Sequence, residues 1–404
     1  MKSIFTRVFP LLIIALIALS CNVRMNRTVS EIHIILDSLK GVYAYDTRIA
    51  YWKPEASIVS GSVMLHGEVA DVLAYQAIIE SVLGRYPEIA FDLRLLPEEQ
   101  TGRLVNGLVN NSVVHIRSSP SHRAEMVTQA MLGTPLRILK EENDWFLVQT
   151  PNLYLGWLDG AALHPMNTSD LDTFRMARKV VYLEQYGFSY TEPVDGSQPV
   201  SDLVIGCILQ VVNREAGYYQ VLYPDGRMGW VKTGEVRDAN EVFGKRLEKE
   251  EIVQTAMKFN GIPYLWGGAS SKAMDCSGFT SVVYFLNGII LMRDANQQSI
   301  QGQVITTEFT HEKLLPGDLL FFGSKASGSQ AERVTHVAIY MGDKEFIHAS
   351  GKVRINSMDP SSENYIPEYP DIFIRAIRID EKAGEGYMMT GNNPFYKEII
   401  SRAE

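Results

Sequence analysis

Cysteine is scarce in this chain: three occur in 404 residues, at positions 21, 207 and 276. So few cysteines exclude the dense disulfide framework on which small secreted domains rely. An excess of positive charge is missing as well. Lys and Arg number 38 against 47 Asp and Glu, and the net charge of −9 argues against nucleic acid as a main partner, because phosphate binding needs a basic surface. No polybasic run marks a patch for anionic lipid. No H-E-x-x-H zinc signature occurs. The N-terminal apolar run "PLLIIALIAL" is too short for a comfortable membrane span. What is present is ordinary globular composition, 46% hydrophobic and 21% charged. The length suggests roughly two to four domains.

The first residues read as a leader. "MKSIFTRVF" supplies Lys2 and Arg7 ahead of the apolar run, the pattern of a signal peptide over 1–21. The run ends in "IALSC", which resembles a bacterial lipobox and makes Cys21 the expected lipidation site, with a membrane partner through that lipid. An ordinary leader with a chance cysteine is the alternative. Cys207 sits in the strand-like run "LVIGCILQVV" and reads as core. Only Cys276 then needs an explanation.

Residues 29–100 read as a small α/β unit. "VSEIHIILDSL" and "DVLAYQAIIESVLGRY" have helical apolar spacing, whereas "RIAYW", "GSVMLHGEV" and "IAFDLRLL" are strand-like. The α-β-β-α-β order resembles a BON-type domain. An internal repeat follows. "GTPLRILKEENDWFLVQTPNLYLGWLDGAAL" aligns without a gap, at an offset of 73 residues, with "GCILQVVNREAGYYQVLYPDGRMGWVKTGEV". Both copies end in Gly-Trp-hydrophobic, and they resemble two bacterial SH3-like barrels over 105–166 and 178–240. Residues 248–385 begin with the helical runs "KEEIVQTAMKF" and "FTSVVYFLNGI". The strand-like runs "DLLFFG", "HVAIYMG", "EFIHAS" and "FIRAIRI" come after, giving an α+β domain. The tail after 386 reads as polar and without information.

Within the last domain, "MDCSGF" places Cys276 at the start of a helical run. A nucleophilic cysteine needs thiolate character, a base, and a group that orients the base. Placement in a first helical turn favours the thiolate. Of eight histidines, His336 and His348 lie on strand-like runs on either side of Gly342, six residues from it in each direction. A hairpin centred there would set them across neighbouring strands on one face. His336, Ala338 and Tyr340 would then point one way, and Val337, Ile339 and Met341 towards a core. Structural or metal-binding histidines are the alternatives, and a third ligand at zinc-like spacing is missing.

The ordered set "YLWGG", "DCSGF", "RD", "LLPGDLLFF", "HVAIYMG" and "FIHAS" resembles the NlpC family of papain-like cell-wall cysteine peptidases over about 248–385. Preceded by two SH3-like barrels, it resembles the γ-D-glutamyl-L-diamino acid endopeptidases of dipeptidyl-peptidase VI type; the N-terminal α/β unit is a departure. The resemblance implies Cys276 as nucleophile, His336 as general base and His348 as its orienting partner. It implies an oxyanion hole from the Cys276 N–H with Tyr264 as a further donor, and a cleft wall at Tyr264 and Trp266. Asp275 and Ser277 would shape the substrate pocket. Arg293 and Asp294 would pair with each other on the plain reading; the resemblance instead puts this turn at the substrate, where Asp294 holds an ammonium group. Glu125 and Tyr154, from the first barrel, would bind a free L-Ala amine. Murein peptides are the implied partner and no cofactor is called for. Rival readings are an N-acetylmuramoyl-L-alanine amidase, an acyltransferase, and a non-catalytic wall-binding protein.

Overall fold

The structure, a computed structural model, describes residues 5–97, 104–244, 247–379 and 388–396, with side chains from residue 22 onward. The expected leader over 1–21 and its Cys21 therefore lie outside the described side chains. The chain divides into two compact units, Met1–Gly102 and Arg103–Glu404.

In the first unit, α1 (Phe5–Tyr43) precedes β1 (Glu55–Val59), β2 (Ser62–Val69), α2 (Val72–Leu83) and β3 (Ala90–Leu95). β2 is central, antiparallel to β1 and parallel to β3. Ile32 and Leu36 of α1, one turn apart, pack with Ala74, Ile78 and Val82 of α2 against Leu65, Val69 and Leu93 of the sheet. Asp71 caps α2 by accepting from the Ala74 N–H at 2.7 Å. The first strand is not "RIAYW". Arg48 forks onto Asp46 at 2.9 and 2.7 Å and holds that stretch in a turn, and Trp52 makes only an isolated bridge to Val69.

The second unit opens with two seven-stranded sheets. The first comprises β4 (Asn106–Val109), β5 (Val113–Arg117), β6 (Met126–Met131), β7 (Pro135–Glu142), β8 (Trp145–Gln149), β9 (Leu155–Asp159) and β10 (Leu163–Met166). After α3 (Thr168–Met176), the second comprises β11 (Lys179–Tyr182), β12 (Tyr186–Tyr190), β13 (Pro199–Val204), β14 (Ile208–Glu215), β15 (Tyr218–Leu222), β16 (Met228–Lys232) and β17 (Val236–Asp238). Their orders, β10-β4-β7-β8-β9-β5-β6 and β17-β11-β14-β15-β16-β12-β13, are the same topology. Each strand starts 73 residues after its counterpart, from Asn106 and Lys179 to Leu163 and Val236. Cys207 is fully buried in the second sheet's core and is a free thiol.

The remainder contains α4 (Ala239–Phe243), α5 (Lys249–Met257), β18 (Ala269–Ser270), β19 (Ala273–Met274), α6 (Cys276–Phe285), β20 (Ile289–Ile290) and α7 (Ala295–Gln298). Then come β21 (Gln303–Thr306), β22 (Leu319–Ser324), β23 (Arg333–Gly342), β24 (Glu345–Ser350), β25 (Lys352–Ser357), α8 (Tyr369–Ile372), β26 (Phe373–Arg378) and β27 (Met388–Met389). The antiparallel sheet runs β21-β26-β22-β23-β24-β25. Phe279, Val282 and Val283 of α6 join Val337, Ile339, Ile347 and Ala349 in one cluster. Ala338 and Tyr340, on the opposite face, join Phe322, Phe346, Tyr369 and Phe373 in a second cluster, so residues 337–340 of β23 are buried on both faces. The tail is not inert. Met389 pairs with Ile289, Tyr396 is 2% exposed among Phe243 and Phe285, and Asn393 donates to the Pro151 carbonyl at 2.9 Å.

Candidate active site

The turn that carries Cys276 is built by Asp275. It is the N-cap of α6, accepting from the Gly278 N–H at 2.7 Å, and its other oxygen accepts from the Gly267 N–H at 2.9 Å. One aspartate thus ties the Gly-rich loop to the first turn of the helix. Arg293 closes the arrangement with bonds of 3.1 and 2.6 Å to the two Asp275 oxygens, and also donates to Ser277 Oγ at 3.0 Å and Thr128 Oγ1 at 2.7 Å. Asp275, Ser277 and Arg293 are all buried, at 5%, 5% and 2% exposure. They spend their polar atoms on one another and on the backbone. These bonds hold the first turn of α6, which carries Cys276, against the Gly-rich loop and Arg293. Arg293 pairs with Asp275 and not with its neighbour Asp294, whose carboxylate accepts from the Tyr154 hydroxyl at 3.0 Å.

Cys276 is the first residue of α6. Its sulfur lies within reach of the Ser277 and Val337 N–H groups, which places it against β23 beside His336. Burial, with the Asp275 charge, pushes the thiol up to about 12. Burial likewise lowers His336 to about 3, with the charges of His348 and Arg354 adding to the effect. Desolvation opposes charge on both groups, against the helix terminus that favours the thiolate.

The two histidines meet diagonally. Asp343 and Lys344 both have positive φ, 49° and 64°, which centres the β23–β24 turn on them and not on Gly342. Ile339 therefore pairs with Ile347 and Tyr340 with Phe346, with a bulge before Gly342. His336 Nε2 still reaches His348 Nδ1, at 2.7 Å. On the far side, His348 Nε2 lies 2.8 Å from Asn356 Oδ1, and Asn356 turns its amide NH2 to the Asn364 carbonyl. This chain assigns the tautomers. The Asn356 oxygen can only accept, so His348 carries its proton on Nε2 and presents a lone pair at Nδ1. His336 then donates from Nε2 and keeps a lone pair on Nδ1. Asn356 was missed in the sequence because β25 shows no motif; its pairing across β24 is what brings it to His348.

Tyr264 is near enough to Cys276 that the thiol's charge acts on its hydroxyl; burial and that charge push it up to about 12, so it stays a donor. Trp266 is 65% exposed, and its indole donates to Glu125 Oε1 at 2.7 Å. With Tyr154–Asp294, Thr128–Arg293, and Gln129 Oε1 accepting from Ala269 N–H and Ser270 Oγ at 2.9 and 3.0 Å, the first seven-stranded sheet lines the flank of the nucleophile turn.

Comparison with known proteins gives a consistent picture. The NlpC/P60 family profile matches residues 261–369, and the bacterial dipeptidyl-peptidase Sh3 domain profile matches 116–163. The chain is 30% identical over 271 residues to dipeptidyl-peptidase 6 of Lysinibacillus sphaericus, covering 65% of this chain and 94% of that protein. It is 28% identical over 264 residues to a γ-D-glutamyl-L-lysine dipeptidyl-peptidase of Bacillus cereus, covering 61% and 74%. A crystal structure of an NlpC/P60 family protein from Bacillus cereus superposes with a TM-score of 0.57 at 22% identity, over 68% of this chain and 99% of that one, a likeness of fold.

Proposed function

Because this chain belongs to the NlpC/P60 family and is a cysteine peptidase, we propose that it hydrolyses the γ-D-glutamyl–L-diamino acid bond of murein peptides that carry a free L-Ala amine. The observation that carries this reading is the wall between the first seven-stranded sheet and the cleft, where Tyr154 meets Asp294 and Glu125 meets Trp266. Two carboxylates at this wall, Glu125 and Asp294, suit a terminal ammonium, and on this reading a glycan-linked stem is excluded from that end. The second seven-stranded sheet, with the topology of the first, is read as a second SH3-like barrel, and the first unit as BON-like. Cys21 is proposed as the lipid anchor.

In the reaction, His336 Nδ1 takes the Cys276 proton as the sulfur attacks the γ-carbonyl of D-Glu. Developing oxyanion charge meets the Cys276 N–H, which a first helical residue leaves without an intrahelical partner, and the Tyr264 hydroxyl. His336 returns the proton to the departing amine. Water, activated by the same Nδ1, then hydrolyses the thioester and frees L-Ala-D-Glu. An oxyanion donor of this kind is worth about 3 kcal/mol of barrier.

The test uses three peptides with the soluble chain: L-Ala-γ-D-Glu-meso-diaminopimelate, its N-acetyl form, and a muramyl-linked form. Release of the diamino acid from the free peptide alone, abolished in Cys276→Ala, is expected. Equal cleavage of all three sinks the free-amine reading.

A further inference from the structure

Arg354, on β25 of the six-stranded sheet, has no carboxylate partner among the described residues. Elsewhere in this sheet and its turns, Arg378 pairs with Asp318, Arg375 with Glu332, and Lys344 with Asp359. Among the described residues no carboxylate pairs with Arg354, and its buried Nε has no hydrogen-bond acceptor. A guanidinium held this way is costly unless something anionic arrives. Its position is specific. It stands opposite His348 across β24 and β25, and its charge acts on both His336 and His348. It is within reach of the Tyr369 hydroxyl, as Ser350 is, and the Cys276 charge acts on that hydroxyl too. Tyr369 Oη is also 3.4 Å from His348 Nδ1. One guanidinium and two hydroxyls therefore converge on the histidine side of the reacting centre.

We propose that Arg354, with the Tyr369 and Ser350 hydroxyls, forms a carboxylate subsite that reads the diamino acid leaving with the amine. This rests on the peptidase reading given above and extends it to the other end of the substrate. His336 protonates the leaving amine, so the leaving residue lies on the histidine side, away from the Tyr154–Asp294 wall. Acceptors at one end and a cation at the other match a peptide with a free amine at one terminus and carboxylates at the other. The site prefers a diamino acid with an unblocked carboxylate over its carboxamide, and two carboxylates, as in diaminopimelate, give it a choice of two.

Binding separates this proposal from the peptidase reading. In the Cys276→Ala chain, calorimetric titration compares L-Ala-γ-D-Glu-L-Lys with its C-terminal amide, and L-Ala-γ-D-Glu-meso-diaminopimelate with its two mono-amides. A charge-assisted contact predicts about tenfold or tighter binding of the acid over the amide. Adding Arg354→Gln collapses that ratio to within about twofold, whereas Arg354→Lys, keeping the charge without the fork, retains part of it. The mono-amides show which of the two carboxylates is read. Equal binding of acid and amide, no binding of either, or an unchanged ratio in Arg354→Gln overturns the proposal. Turnover by the wild-type chain is scored separately and bears on the peptidase reading alone.

Discussion

One carbonyl and two side chains set which ring nitrogen of His336 carries the proton. The Asn364 carbonyl orients Asn356, Asn356 orients His348, and His348 holds the Nε2 proton of His336. Asn356→Ala removes the acceptor that fixes this order, and the wrong tautomer at His336 then puts a proton where the lone pair must be. A fall in kcat of about 10–100-fold, with KM little changed, is expected in steady-state assays. A purely structural role would lower stability without that split. The lowered pKa of His336 makes a second forecast. A histidine depressed to about 3 keeps its basic lone pair as pH falls through the usual histidine range. The pH profile of kcat/KM should therefore show no acid limb near 6.5 and should fall only towards pH 4 and below. A limb at 6.5 would mean that the free enzyme's histidines are far better solvated than their burial implies.

At the scale of elements, the placement of Cys276 depends on how closely α6 approaches the loop before it. A Cβ placed on Gly278 would lie 2.0 Å from the Gly268 carbonyl oxygen, backbone that has no room to give. Gly278 supplies the N–H that Asp275 caps, so any shift there moves Cys276 as well. Gly278→Ala should lose most activity and at least about 1–3 kcal/mol of stability, read by urea denaturation. Alanine is otherwise the better helix former, so a neutral or stabilising outcome would contradict this packing. β25 belongs to the same scale. It was passed over in the sequence, yet it carries both Arg354 and Asn356 to His348.

At the scale of the whole second unit, the first seven-stranded sheet is part of the cleft. Gln129, Thr128, Glu125 and Tyr154 each bond to the segment 266–294. The Tyr154 hydroxyl donates to Asp294, the proposed ammonium acceptor. Tyr154→Phe removes that hydroxyl and should raise KM for the free-amine peptide about tenfold while leaving the N-acetyl peptide uncleaved. Unaltered KM would detach Tyr154 from amine recognition. The tail adds a further tie, since Asn393 bonds to Pro151 and Tyr396 fills the space beside Phe285.

Much of this was legible beforehand. Cys276, His336 and His348 stand in local patterns, a helix start and two strands, and such patterns follow from periodicity within a few residues. The 73-residue repeat was legible for the same reason, because matched strands carry matched apolar spacing. Four things depended on the tertiary structure. The buried network in which Arg293 bonds to both Asp275 and Ser277 joins residues 16 and 18 apart in sequence. The hairpin turns at Asp343–Lys344, a register decided by positive φ angles and a bulge. The burial of Cys276, which opposes the thiolate that a helix start favours, cannot be read from spacing. Asn356 and Arg354 acquire meaning only when β25 docks beside β24. Residue identity along the chain determined which chemistry is present. Which polar groups are satisfied, and which remain for a substrate, was decided by contacts between residues far apart in sequence.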